Sequence, residues 1–102
     1  MTTPILHYIH DPLCGWCYAA SPMVEAVANA GIPIALHGGG LMETPTRLAP
    51  DKRAYIRRSD AHIAELTGVT FGAAYLDGLL VDADSVFWSR PTIAAVLAAG
   101  TI

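Results

Sequence analysis

Charged residues are scarce in this 102-residue chain: Asp, Glu, Lys and Arg make up 15 % of it, against 53 % hydrophobic residues. The mean hydropathy is +0.40, yet no uninterrupted apolar stretch approaches the roughly 20 residues that a bilayer-spanning helix needs. The start of the chain, Met1-Thr2-Thr3-Pro4, lacks the basic segment and apolar run of a secretory signal. Neither a membrane protein nor an exported one is expected, and the cytoplasm is the default location. An excess of cations is also missing. The net charge is −3 and the isoelectric point about 5.7, which removes the electrostatic footprint of a nucleic-acid binder. The one basic cluster, Arg53, Arg57 and Arg58, reads as a solvated helix face. There is no internal repeat. Cysteine occurs only twice, as Cys14 and Cys17, and in a reducing compartment such a pair points to redox or metal chemistry rather than to a structural disulfide.

The length suits one small domain. So apolar a composition on so small a chain implies an apolar face for a partner, or a fold completed elsewhere. Ile5 to His10 reads as a strand, ended by Asp11-Pro12 because proline cannot donate to a ladder. Gly15 to Ala30 reads as a helix, with Ala20, Val24, Val27 and Ala28 at helical spacing and Gly31 as its C-terminal cap. Ile32 to His37 reads as a second strand, ended by Gly38-Gly39-Gly40. A strand–helix–strand unit is expected to pair its strands in parallel. Leu41 to Pro50 is then a loop. Asp51 caps a helix to about Thr67 that turns Tyr55, Ile56, Ile63 and Leu66 inward and closes at Gly68. Phe71 to Leu80 is a weaker helical segment. Ser89 caps a last helix through Ile93, Val96 and Leu97 to Gly100, with Pro91 in its first turn. No third strand is expected after Leu36, so the sheet is incomplete and its edges are unpaired.

The chemistry is concentrated in Asp11-Pro12-Leu13-Cys14-Gly15-Trp16-Cys17. Cys14 falls where the strand has ended and the helix begins, and the free N–H groups of a helix start stabilise a thiolate. It is assigned as the attacking sulfur. Cys17, one turn further along the same face, is the more buried resolving thiol. The reaction is thiolate attack on a disulfide, a mixed disulfide, then resolution. Gly15 allows a partner backbone close approach, Trp16 offers an apolar contact beside the sulfurs, and Pro12 shapes the same edge. A zinc set of His7, His10, Cys14 and Cys17 is a second reading, although His7 and His10 point to opposite faces of a strand. An inert buried pair is a third. His37 and His62 read as surface or partly buried polar residues, Tyr8 and Tyr18 as packing residues, and Glu25 as a solvent-facing carboxylate. The three glycines read as a flexible exit from the second strand rather than a phosphate cradle.

The stretch from His7 to Val27, with Tyr8-Ile9-His10-Asp11-Pro12-Leu13-Cys14-Gly15-Trp16-Cys17-Tyr18, resembles cytoplasmic DsbA-like proteins of the thioredoxin superfamily, known as predicted protein-disulfide isomerases. Gly38-Gly39-Gly40-Leu41-Met42, the segment His62 to Leu80, and Ser85 to Leu97 resemble them as well, and Pro22 matches the kinking proline of thioredoxin-like active-site helices. The resemblance implies an α/β fold, a thioredoxin-like β-α-β start over residues 1–40 followed by an α-helical insert over 41–102. It implies Cys14 as nucleophile and Cys17 as resolving cysteine; Pro12, Gly15 and Trp16 are expected to bind the substrate. No cofactor or metal is implied, and the partner is a disulfide-containing protein, peptide or small thiol. Family members continue after the insert with further sheet and a cis-proline loop. The chain is therefore expected to match the N-terminal half, with a second copy or a complementing chain finishing the sheet. Remaining alternatives are a glutathione-dependent relative of kappa-class transferases and hydroxychromene carboxylate isomerases, a small zinc-binding module, and an inactive fragment that acts through its apolar surface.

Overall fold

Strand β1 spans Leu6–His10 and β2 spans Ile34–Gly38, joined by helix α1, Gly15–Asn29. The computed structural model describes residues 3–100. Met1, Thr2, Thr101 and Ile102 lie outside them, and with them the outer limits of the two expected segments and part of the N-terminal stretch read for a signal. The strands pair in parallel with Leu6 opposite Ile34 and Tyr8 opposite Leu36, as the strand–helix–strand pattern requires. Helix α1 ends as foreseen: Gly31 takes φ +84°, its N–H bonds the Ala28 carbonyl and that of Ile32 bonds Val27, a Schellman closure. Inside α1, Pro22 has no N–H for the Tyr18 carbonyl. The Ser21 hydroxyl donates to that carbonyl instead, at 2.6 Å, so the proline is tolerated.

Past β2 the architecture departs from expectation in several places. A two-residue antiparallel ribbon forms between β3, Thr46–Arg47, and β4, Val86–Phe87. Strands this short cannot display a period of two, so no pattern announced them. Helix α2 is Pro50–Thr67 with Ala49 at the N-cap. Asp51 lies in its first turn rather than capping it, because Pro50 has the φ a first helical position wants. Gly68 closes α2 in the left-handed region. The buried stripe of α2 runs through Asp60 and Ile63, with Ile56 half-buried, at i, i+4 and i+7, while Tyr55 and Leu66 sit on the neighbouring stripe and are exposed. The segment after Phe71 is a wide turn, Tyr75–Leu79, with a Leu80 N–H to Tyr75 carbonyl bond. Helix α3 is Ser89–Ala99, and Trp88, not Ser89, is its N-cap.

The core lies among α1, α2 and the ribbon: Ala19, Leu48, Ile63, Leu80 and Phe87 are its buried apolar residues. Two arginines of the supposed solvated face stitch loops to it. Arg53 donates to the Leu48 carbonyl and Arg57 to that of Leu76, while Arg58 is exposed. The opposite side of the sheet is open, with Ile9 68 % exposed and Ile5 and His7 beside it also exposed. The radius of gyration is 15.2 Å, against about 13 Å for a compact chain of 100 residues, in keeping with principal extents of 52 × 29 × 19 Å. No helix among the described residues is long and apolar enough to cross a membrane.

At the end of β2, a Cβ on Gly38 would stand 2.4 Å from Ile93 Cγ2, so α3 docks where a side chain would be. Gly38→Ala is expected to cost about 1–3 kcal/mol by overpacking. Adding Ile93→Ala should recover part of that loss in a double-mutant cycle read by urea denaturation.

Candidate functional site

Asp11 ends β1 and begins the turn that delivers Cys14 to the helix. Its carbonyl accepts the Cys14 N–H at 3.0 Å. One carboxylate oxygen accepts the Leu13 N–H at 2.8 Å and the other the Leu41 N–H at 2.7 Å. The side chain is 4 % exposed. Burial alone would raise its pKa. Hydrogen bonds from the Ser89 hydroxyl and the Leu13 and Leu41 amides, with the charge of His10, outweigh that and bring it below the ordinary carboxylate value. Ser89 in turn accepts the Met42 N–H on its hydroxyl at 2.8 Å and donates its own N–H to the Met42 carbonyl at 2.9 Å. The residue read as a helix cap thus belongs to the support of the cysteine loop. Sequence reading took Asp11 only as a turn former, and the signal available, an Asp two residues before a loop N–H, names just one of its partners.

Cys14 is the N-cap of α1, in extended conformation, with no side-chain cap on the helix. The first-turn N–H groups are therefore left for a negative charge at this end. Cys17 lies one turn on, and both thiols are free and partly buried. Burial is the main cause that pushes the Cys17 thiol above its usual pKa, and hydrogen bonding to Cys14 and the negative charges of Cys14 and Asp11 add to it. The Asp11 amide on the Cys17 sulfur works the other way. The Tyr8 hydroxyl donates to the Cys17 carbonyl at 2.5 Å, which ties the first turns of the helix to β1. Its own pKa is raised by burial and by the two nearby sulfurs.

A cavity of about 340 Å³ opens beside Cys14. Its walls include Pro12, Gly15, Ile56, Phe71 and Leu79, with Lys52 as the cation of the lining. Of the residues expected near substrate, Pro12 and Gly15 line it with Cys14, whereas Trp16 lies outside the lining and is 53 % exposed. Tyr18 and Phe71 close one side in an edge contact at 5.1 Å, and the Tyr18 hydroxyl holds the Thr70 carbonyl at 2.5 Å. Lys52, Phe71 and Tyr75 escaped the sequence reading because they come to Cys14 only through the folding of α2 and the turn after it. The proposed zinc set is dispersed. His7 faces the open side, stacked on His37 at 5.2 Å, and His10 stacks on Tyr8 at 4.9 Å. Among the described residues no three His, Cys, Asp or Glu side chains gather as metal ligands.

Comparison with known proteins places this arrangement. No protein-family model matches the sequence, and no curated protein matches it. Among solved structures the chain is similar to the cytosolic disulfide reductase DsbM from Pseudomonas aeruginosa, with a TM-score of 0.83 and 50 % identity over 96 % of this chain and 46 % of that one. It is similar to the same reductase solved with GSH, at a TM-score of 0.80 and 48 % identity over 97 % of this chain and 48 % of the other. A candidate protein disulfide isomerase from Nitrosomonas europaea superposes with a TM-score of 0.68 at 26 % identity over 88 % of this chain and 42 % of its own. The chain is thus a DsbA-like segment of the thioredoxin superfamily, and it spans about half the length of these relatives.

The Asp11 hub generates a pH signature. An unfolded aspartate titrates near about 3.9, and the folded value lies below that. Its contribution is therefore full above the unfolded value and is lost as pH falls through the folded one. Asp11→Ala removes three charge-assisted bonds, from Ser89, Leu13 and Leu41, worth about 1.5–3 kcal/mol each, so a loss of about 3 kcal/mol or more is expected at neutral pH in urea titrations. Asp11→Asn, which keeps one acceptor oxygen, should lose less, and its deficit against wild type should shrink below about pH 4.

Proposed function

Taking the chain as a DsbA-like segment, we propose that it performs thiol–disulfide exchange in the cytoplasm through Cys14 and Cys17, reducing disulfides of proteins, peptides or small thiols. The observation that carries this reading is the place of Cys14 at the uncapped start of α1, on the wall of a cavity, with Cys17 one turn behind it. Residues 1–40 supply the thioredoxin-like start with the cysteine pair, and 41–102 the helical part that forms the far wall of the cavity. The cytosolic disulfide reductase relative, solved also with GSH, supports both the location and glutathione as the thiol that recharges the pair.

The Cys14 thiolate attacks one sulfur of R–S–S–R′, forming Cys14–S–S–R and releasing R′–S⁻, which takes a proton from water. Cys17, kept as a thiol by burial, then loses its proton and attacks Cys14 Sγ. The Asp11 amide on its sulfur favours the charge that develops there. The second product leaves as R–S⁻, and the pair is left as a Cys14–Cys17 disulfide, having given two electrons to the substrate. Two equivalents of glutathione restore the dithiol and leave as glutathione disulfide. Pro12 and Gly15 border the substrate on the cavity side, and exposed Trp16 offers an apolar contact on the other.

Cys14→Ser is expected to bring reduction of a fluorescent peptide disulfide to the buffer rate. Cys17→Ser should accumulate a glutathione adduct on Cys14, visible by intact mass and peptide mapping. Turnover surviving in Cys14→Ser, or an adduct formed on Cys17 in preference to Cys14, would contradict the assignment.

A further inference from the structure

Helix α2 sends one acidic side chain into the base of the helix that carries the cysteines. Asp60 is 5 % exposed. Its Oδ1 lies 2.6 Å from the point that a Cβ on residue 15 would occupy, and Ile63 Cδ1 lies 3.0 Å from the same point. The carboxyl group therefore fills the side-chain space of Gly15, in the first turn of α1 and next in the chain to Cys14. This gives residue 15 a reason to be glycine that is internal to the fold. The other oxygen, Oδ2, accepts the Tyr75 hydroxyl at 2.6 Å. The partner is a neutral phenol, and the ion pair that α2 makes, Arg57 with Asp77 at 3.7 Å, is directed elsewhere. A buried charge without a counter-ion is felt strongly by its neighbours, because little water screens it.

We propose that Asp60 sets the redox poise of the cysteine pair: its carboxylate, pressed against the first turn of α1, opposes the helix N-terminus and disfavours the Cys14 thiolate, which biases the pair toward reducing disulfides. The inference rests on Cys14 being the attacking sulfur. Stabilising that thiolate stabilises the dithiol form and makes a pair more oxidising, and destabilising it does the reverse. Asp60 acts through Cys14 without touching substrate, so it is a positioning residue. The titratable group that faces it is Tyr75 from the wide turn, which donates to it; Arg57 on its own helix acts on Tyr75 and pairs with Asp77, and across the Gly15 contact lies the turn of α1 that carries Cys14. Burial raises the Asp60 pKa, with the Tyr75 hydrogen bond limiting the rise. Acidification thus discharges Asp60 sooner than an exposed carboxylate.

The test is the equilibrium of the full chain with glutathione redox buffers, in wild type and Asp60→Asn, together with the rate of Cys14 alkylation at pH 7. The amide keeps the shape and an acceptor for Tyr75 and removes the charge. The expected result is about a tenfold rise in thiolate fraction and a potential about 30 mV more positive. A folded Asp60→Asn with wild-type potential and alkylation rate would overturn the inference. A wild type that forms no Cys14–Cys17 disulfide in any buffer would instead overturn the exchange reading itself. A second variant covers the case in which Asp60→Asn fails to fold: Asp60→Ser also removes the charge with a smaller polar side chain, and the same shift in potential and alkylation rate is expected. A folded Asp60→Ser with wild-type potential and alkylation rate would overturn the inference.

Discussion

The carboxylate of Asp11 holds two loops at once, taking the Leu13 N–H on one oxygen and the Leu41 N–H on the other. Through Leu13 it shapes the turn that presents Cys14. Through Leu41, and through Ser89 beside it, it binds the exit of β2 and the start of α3 to that turn. A buried carboxylate is costly unless its lone pairs are occupied, and here the backbone of two connections occupies them. The carboxylate acts together with the docking of Ile93 against Gly38 and the Tyr8 bond to the Cys17 carbonyl, which also join strands to helices. Among the described residues the buried apolar side chains are Ala19, Leu48, Ile63, Leu80 and Phe87, and they lie on the helical side.

Around the cysteines the charges are arranged in opposition. The free amides at the start of α1 favour a negative sulfur at position 14, while Asp11 on one side and Asp60 below both carry acidic groups close to the same turn. Cys17 is held as a thiol by burial and its neighbours, which in the proposed exchange separates the tasks of the two sulfurs with only Gly15 and Trp16 between them. Gly15 serves two requirements here. It leaves the cavity wall low beside Cys14, and it makes room for Asp60 and Ile63 beneath the helix.

What was legible in the sequence was local. The parallel strand–helix–strand start, the Gly31 and Gly68 helix ends and the position of Cys14 at a helix start all follow from short-range rules of capping and periodicity, and all are found. The errors are of two kinds. Ser89 and Asp51 satisfy capping statistics, yet their neighbours Trp88 and Ala49 take the cap positions, because Ser89 is claimed by Met42 and Asp11 and because Pro50 already starts its helix. Tyr55 and Leu66 are apolar enough for a core, but Ile56, Asp60 and Ile63 form the stripe that faces α1. The cavity and the contact of Asp60 with Gly15 were beyond reach because both join residues some forty-five positions apart, a relation that no local spacing encodes.

The open side of the sheet, with exposed Ile5 and Ile9 and the His7–His37 stack, agrees with a chain that spans about half the length of its relatives. In the proposed exchange the chemistry lies within the described residues, at the division of labour between the two sulfurs. Limiting alkylation of the reduced chain with iodoacetamide across a range of pH, followed by peptide mapping, tests that division most directly. Modification of Cys14 well ahead of Cys17 throughout the neutral range is the predicted result. Equal labelling of the two sulfurs, or Cys17 labelled first, would contradict the account.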